Sequence, residues 1–363
     1  MGLSEIIAKH GVTSAQVAVL SGGVIREEAA GVPADVFRLG SITKLWTATL
    51  AQRLVDEGRL DLDHPVDEHL PGFDPSLTAR HLLTHMGGLA LASEEHVVPP
   101  GTVFSYSNSG FAVLAKLVEV CGGTPFRDLL RERLVEPLGL RTVVTDIGHG
   151  TALGASDFAM HARELLEFVR LHLDDPSLAP LREPQLEDVP DFGSGVVGWG
   201  LGWMLYRDGV VGHTGVVRGQ KAYLRVVPAS GTAVAVLTDS SNSELLAHEI
   251  FTDLLPDVTT EAPPTPTPNP GPIEAERMCG SYRNPYFDIT LTAEDGRAAL
   301  DFQPRTDRGQ AKQVEVVRHG QDSIITVEPT SDGHQVYSLV GDDQGRARFL
   351  HNGAVSWRIS PRR

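Results

Sequence analysis

Cysteine, cationic charge and long apolar runs are all scarce in this chain, and each scarcity removes a class of answer. Of 363 residues only Cys121 and Cys279 are cysteines, and they fall in segments that read as different domains. A disulfide framework needs several cysteines at regular spacing, so the fold is expected to rest on its core, with two inert thiols. Lysine and arginine number 31 against 47 acidic residues, a net charge of −16. Nucleic acid and anionic membrane surfaces reward clustered cations, so neither is an expected partner. No stretch approaches the roughly 18 apolar residues of a membrane-spanning helix. The apolar run at residues 15–20 is short and interrupted by Gln16, which suits a strand better than a signal segment. Ile6 stands where a myristoylation motif needs Ser or Thr. The expected location is cytoplasmic.

What is present is punctuated clearly. Residues 261–272 carry Pro263, Pro264, Pro266, Pro268, Pro270 and Pro272. Alternating prolines fix φ and remove N–H donors, so this segment reads as a semi-rigid linker. Before it, strands at both ends bracket helical patterns at about 42–57, 81–97, 108–120 and 157–173, with a further helix at 244–255. That order predicts an α/β domain over 1–260, its sheet part from about 1–58 and 196–260, and a helical part inserted over 59–195. After the linker, about eight short alternating strands with Asp295-Gly296, Asp332-Gly333 and Gly341-Asp342-Asp343 turns predict a small closed all-β barrel over 273–363.

Three constellations carry chemistry. In Ser41-Ile42-Thr43-Lys44 a hydroxyl and an amine lie three residues apart at the mouth of a helix, one above the other. A serine attacks only when a base relieves it of its proton, and lysine is a base only when its charge is suppressed. In Tyr106-Ser107-Asn108 a phenol precedes an amide at a helix start. The alternative is a core tyrosine beside an Asn108 N-cap. In His213-Thr214-Gly215-Val216 the histidine could polarise or reprotonate and Thr214 could orient a substrate group. Gly215 would let a substrate backbone lie close to the strand. An ordinary strand with a satisfied histidine is the alternative here. His81 and His85 have the i, i+4 spacing of helical metal ligands, but no third ligand is evident, so a packing or hydrogen-bonding role is expected of them, and no metal and no cofactor. The glycines around Trp199 lack the following helix of a dinucleotide site, and no G-x-S-x-G elbow exists.

Taken in order, S-x-x-K, Y-x-N and H-T-G resemble the penicillin-recognising serine hydrolases: class C β-lactamases, penicillin-binding proteins, D-aminopeptidases and related esterases. Leu82-Leu83-Thr84-His85-Met86-Gly87-Gly88-Leu89, Pro100-Gly101-Thr102-Val103-Phe104-Ser105-Tyr106-Ser107-Asn108 and Glu136-Pro137-Leu138-Gly139-Leu140 are similar to further segments of that group. The resemblance covers about residues 10–255. It implies an antiparallel sheet flanked by helices with an all-helical subdomain, and a lipocalin-like barrel behind. It also implies Ser41 as nucleophile, Lys44 as its activating base or proton relay, Tyr106 as proton shuttle to the leaving group, and Asn108 as holder of the substrate amide and Lys44. The oxyanion would be held by the N–H groups of Ser41 and Val216. His213 replaces the lysine often found there, which disfavours a substrate carboxylate and so β-lactam hydrolysis as the main activity.

The expected function is acyl hydrolysis or transfer through an acyl-Ser41 intermediate, on an ester, amide or D-residue peptide. A penicillin-binding-type thioesterase that releases or cyclises a nonribosomal peptide, with a carrier-protein-bound thioester as partner, is the near alternative. A slow-acylating sensor is the alternative of another class.

Overall fold

The computed structural model describes residues 2–32, 36–145, 152–217, 219–240, 242–294, 297–306, 309–330 and 333–359. The turn expected at Asp295-Gly296, and Asp332 of the turn expected at Asp332-Gly333, lie outside them.

After a short helix α1 (Leu3–Lys9), strands β1 (Ser14–Ser21) and β2 (Val24–Gly31) form a hairpin. β3 (Phe37–Arg38) leads through a 3-10 turn, Gly40–Ile42, into helix α2 (Thr43–Asp56). Nearly every side chain of α2 is buried, so it is a central helix and not a surface one, which explains its weak amphipathic signal. Helices α3 (Ala79–Leu83), α4 (Asn108–Gly122) and α5 (Phe126–Leu130) pack around it, followed by β4 (Val144–Thr145), β5 (Phe158–Met160) and helix α6 (Ala162–Asp174). Trp46 of α2 stacks on Phe168 of α6 with ring centroids 3.9 Å apart. The chain then returns to the sheet with β6 (Gly198–Trp199), β7 (Met204–Leu205), β8 (Val211–Val217), β9 (Gln220–Val227) and β10 (Thr232–Thr238), closed by α7 (Glu244–Leu254).

The main sheet runs β2-β1-β10-β9-β8-β7-β6, and its pairs are antiparallel throughout. The first strands thus sit beside the last, as expected for a sheet assembled from both ends. β7 pairs with β8 only at Val211 and Gly212, which leaves the following residues of β8 with one edge unclaimed by a strand.

Beyond the proline-rich segment, α8 (Ala275–Met278) precedes eight strands: β11 (Gly280–Arg283), β12 (Phe287–Glu294), β13 (Arg297–Pro304), β14 (Lys312–Gly320), β15 (Ser323–Thr326), β16 (Val336–Val340), β17 (Phe349–His351) and β18 (Val355–Ile359). β18 pairs back on β11 and closes the barrel. Tyr282, Leu300 and Ile324 fill its interior. The fold class is the expected one: α/β with an antiparallel sheet flanked by helices, plus a small all-β barrel.

Two elements differ from the sequence reading. The helical region with loops expected over 81–97 keeps helix only to Leu83, because His85 takes a positive φ of 58° and Gly88 one of 67°, and helical backbone cannot pass through that region. The helix expected from residue 157 begins only at Ala162. Residues Phe158–Met160 form a strand instead, their burial satisfied by pairing with β3 and β4.

Candidate active site

Ser41 sits in the tight 3-10 turn just ahead of α2, with Lys44 in the helix's first turn. Lys44 has no exposed surface, yet its Nζ reaches three oxygens: Ser41 Oγ at 3.1 Å, Asn108 Oδ1 at 2.7 Å and the Ala155 carbonyl at 3.0 Å. The Asn108 and Ala155 oxygens can only accept, so they take two N–H groups. A neutral amine then has its lone pair left for the third direction, toward the Ser41 hydroxyl. Burial holds Lys44 well below the ordinary lysine range, which favours that neutral form. The arrangement matches what an activating base requires.

Asn108 is free to hold Lys44 because it is not the helix cap. Ser107 caps α4 instead, its Oγ accepting from Gly110 N–H at 2.9 Å. The adjacent Tyr106 places its ring so that Lys44 Nζ lies 4.8 Å from the centroid. Its hydroxyl is buried and without a hydrogen-bond partner among the described residues. Ser41 is nonetheless its polar neighbour: burial pushes the phenol above its usual range and Ser41 only partly offsets this. Tyr106 is therefore a phenol at neutral pH, able to give a proton.

His213 comes from β8 and is fully buried, its ring 6.4 Å from that of Tyr106. Its Nδ1 lies 2.8 Å from the Thr214 carbonyl and must donate to it, which makes Nε2 a bare acceptor without a partner among the described residues. Burial, then the nearby Lys44, pushes its pKa down to about 3. This histidine is a neutral acceptor, unsuited to gripping a carboxylate. Side chains alternate along a strand, so Thr214 leaves on the opposite face, where it is a polar neighbour of Tyr206.

Gly215 and Gly40 bring two backbones together. A Cβ on Gly215 would lie 1.8 Å from Leu39 O and 2.9 Å from Ser41 N, and one on Gly40 would lie 2.6 Å from Val216 N. Gly40 also has φ +52°. Only glycine fits at either position. These close approaches bring the backbone at Ser41 and the backbone at Val216 together. Val216 is half exposed and marks the open side of this arrangement.

Sequence reasoning missed Ala155, and it favoured a packing or hydrogen-bonding role for His85 without finding its partners. His85 is buried with its ring 4.1 Å from that of Tyr106, and its Nδ1 accepts the Ser107 N–H at 3.1 Å. It is a scaffold for the tyrosine segment and not half of a helical metal pair. The Gly87-Gly88 pair was the signal that its helix ends early. Ala155 acts through its carbonyl, which no side-chain pattern reveals. Among the described residues, no group of three or more His, Cys, Asp or Glu could hold a metal ion. No helix of these residues is long and apolar enough to cross a membrane. Both thiols are free.

Comparison with known proteins decides the family. The Beta-lactamase family profile matches residues 3–254. Penicillin-binding protein 4 of Amycolatopsis lactamdurans is 31% identical, over 76% of this chain and 94% of that protein. The chain belongs to the beta-lactamase family. It is a serine hydrolase of that family, whose relatives include Esterase EstB of Burkholderia gladioli, 29% identical over 39% of this chain and 46% of the esterase. In structure it is similar to SurE crystallised with D-Leu, at 25% identity and a TM-score of 0.78, covering 98% of this chain and 97% of that one. That likeness spans the hydrolase part and the barrel together.

Proposed function

We propose that this beta-lactamase-family hydrolase works by two-step acyl transfer through an acyl-Ser41 intermediate, on neutral ester, amide or D-residue peptide substrates. The observation that carries the reading is Lys44, fully buried with its Nζ 3.1 Å from Ser41 Oγ and its pKa lowered by that burial. In the first step the Ser41 hydroxyl proton passes to Lys44 Nζ as Oγ bonds to the acyl carbon. The amides of Ser41 and Val216 hold the oxyanion. The leaving alcohol or amine departs with the Tyr106 proton, and Lys44 returns its proton to the phenolate. Water, or another nucleophile, then attacks the acyl carbon, and Ser41 is regenerated.

Two observations favour neutral substrates and D-residues. His213 offers an uncharged acceptor where a carboxylate would want a cation. The D-Leu in the SurE crystal supports a D-residue as part of the substrate. The test compares activated esters, D-amino amides, benzylpenicillin and a peptidyl thioester mimic in one assay. Faster turnover of the first two than of penicillin is expected. A cyclic product from the thioester would favour the thioesterase reading, and free acid would favour hydrolysis. A Ser41 adduct that never turns over would replace enzyme with sensor.

A further inference from the structure

Residues 104–107 carry Tyr106 in irregular backbone that is largely buried. Buried N–H and C=O groups outside helices and sheets need other partners, and leaving one unmade costs about 1–3 kcal/mol. Here the partners come from two places. The hydrolase part supplies His85, whose carbonyl accepts the Ser105 N–H at 2.8 Å and whose Nδ1 accepts that of Ser107. The barrel supplies the rest from the turn between β17 and β18. Gly353 O accepts the Tyr106 N–H at 2.8 Å, and Val355 N–H donates to Ser105 Oγ at 3.2 Å. His351 Nε2 lies 2.9 Å from the Phe104 carbonyl. Because His351 Nδ1 accepts from Gly353 N–H at 3.1 Å, Nε2 is the protonated nitrogen and donates to Phe104.

We propose that this barrel turn is a positioning element of the catalytic centre, with His351 and Gly353 holding the backbone of residues 104–106 so that the Tyr106 phenol is aimed at Ser41 only when the barrel is docked. His351 is fully buried between the two domains. Its ring lies 5.8 Å from that of Phe104 and 6.4 Å from that of Phe192. Gly353 has φ +94°, the left-handed region that lets its carbonyl turn toward Tyr106. Val98 and Val103 from the hydrolase pack with Phe349 and Val355 from the barrel alongside. The turn touches the backbone that carries the proton donor, so its residues act through Tyr106. The expected signature is a loss in the chemical step with substrate binding spared. The proposal rests on the acyl-Ser41 reading above.

The test measures the acylation rate constant and KM with an amide substrate such as a p-nitroanilide, whose leaving group needs a proton, plus thermal melting, on full-length variants. His351→Leu removes the donor, His351→Gln keeps one, and Leu300→Ala weakens the barrel core away from the turn. A misplacement of about 1 Å costs on the order of 100-fold. His351→Leu is therefore expected to slow acylation about 10- to 100-fold at nearly unchanged KM, with most of the rate restored in His351→Gln. Leu300→Ala should melt earlier yet acylate normally at 25 °C. Gly353→Ala, strained at its positive φ, should also slow acylation, and it decides the matter should His351→Leu not fold. Wild-type rates in the folded turn variants, or an equal slowing in Leu300→Ala, would overturn the proposal while leaving the acyl-enzyme intact. A wild-type protein that forms no acyl-enzyme would overturn the parent reading and this proposal with it.

Discussion

Lys44 Nζ lies 3.1 Å from Ser41 Oγ without any surface of its own exposed to water. Its charge is suppressed by burial alone, with no carboxylate offsetting the effect among the described residues. A protonated Lys44 has no lone pair, so acylation requires pH above its lowered pKa. The acidic limb of kcat/KM should therefore lie well below the ordinary lysine range and vanish in Lys44→Met, whose rate should fall about 10²–10⁴-fold. Lys44→Arg should not rescue it, since a guanidinium stays charged. An unchanged acidic limb in Lys44→Met would assign that ionisation elsewhere.

Tyr106 is expected to matter in proportion to how badly the leaving group needs a proton. Its phenol is held above its usual range by burial, so it is loaded at neutral pH. Tyr106→Phe should cut hydrolysis of amides by about 10²–10⁴-fold and of p-nitrophenyl esters far less. Equal losses on both substrates, measured side by side, would deny it the role of donor.

Gly215→Ala tests the oxyanion cradle. The new methyl would sit 1.8 Å from Leu39 O, so β8 and the Ser41 turn must part. A fall of about 10²–10³-fold in kcat is expected, the size seen when one oxyanion donor is lost. An alanine variant with native kcat would place the oxyanion elsewhere.

The site is easily read in one respect and opaque in another. Ser41 and Lys44 are visible because both lie within one turn of chain, where spacing fixes geometry. The barrel is visible because alternation such as that of residues 298–303 survives in any context. His85 reads as a packing or hydrogen-bonding residue, but its partners are hidden because they depend on a positive φ just after a helix that ends two residues earlier. Asn108 reads as a cap, yet Ser107 takes that duty and releases the amide toward Lys44. Contacts such as His351 to Phe104 join residues 247 apart in the chain, and no local pattern encodes a partner at that distance.

Four buried histidines should make the fold acid-sensitive. His213 is pushed down to about 3 and His351 to about 4, and burial lowers His85 and His172 well below their ordinary value too. Above about pH 6.5 both folded and unfolded chains hold them neutral, so they exert no pH effect. As pH falls below that, the unfolded chain takes up protons that the folded chain refuses, and stability drops. Each group contributes up to about 1.4 kcal/mol per pH unit until its folded pKa is reached. Urea unfolding at pH 7, 6 and 5 should show this decline, with a shallower slope in His213→Asn. A flat profile from pH 7 to 5 would mean these histidines protonate inside the fold.

The most direct test is intact-protein mass spectrometry after brief exposure to a fluorophosphonate and to an activated acyl ester. A single adduct of the mass of the reagent's transferred group, mapped to Ser41 and absent from Ser41→Ala, is the predicted result. An unlabelled wild-type protein, or labelling that persists in Ser41→Ala, would contradict the account.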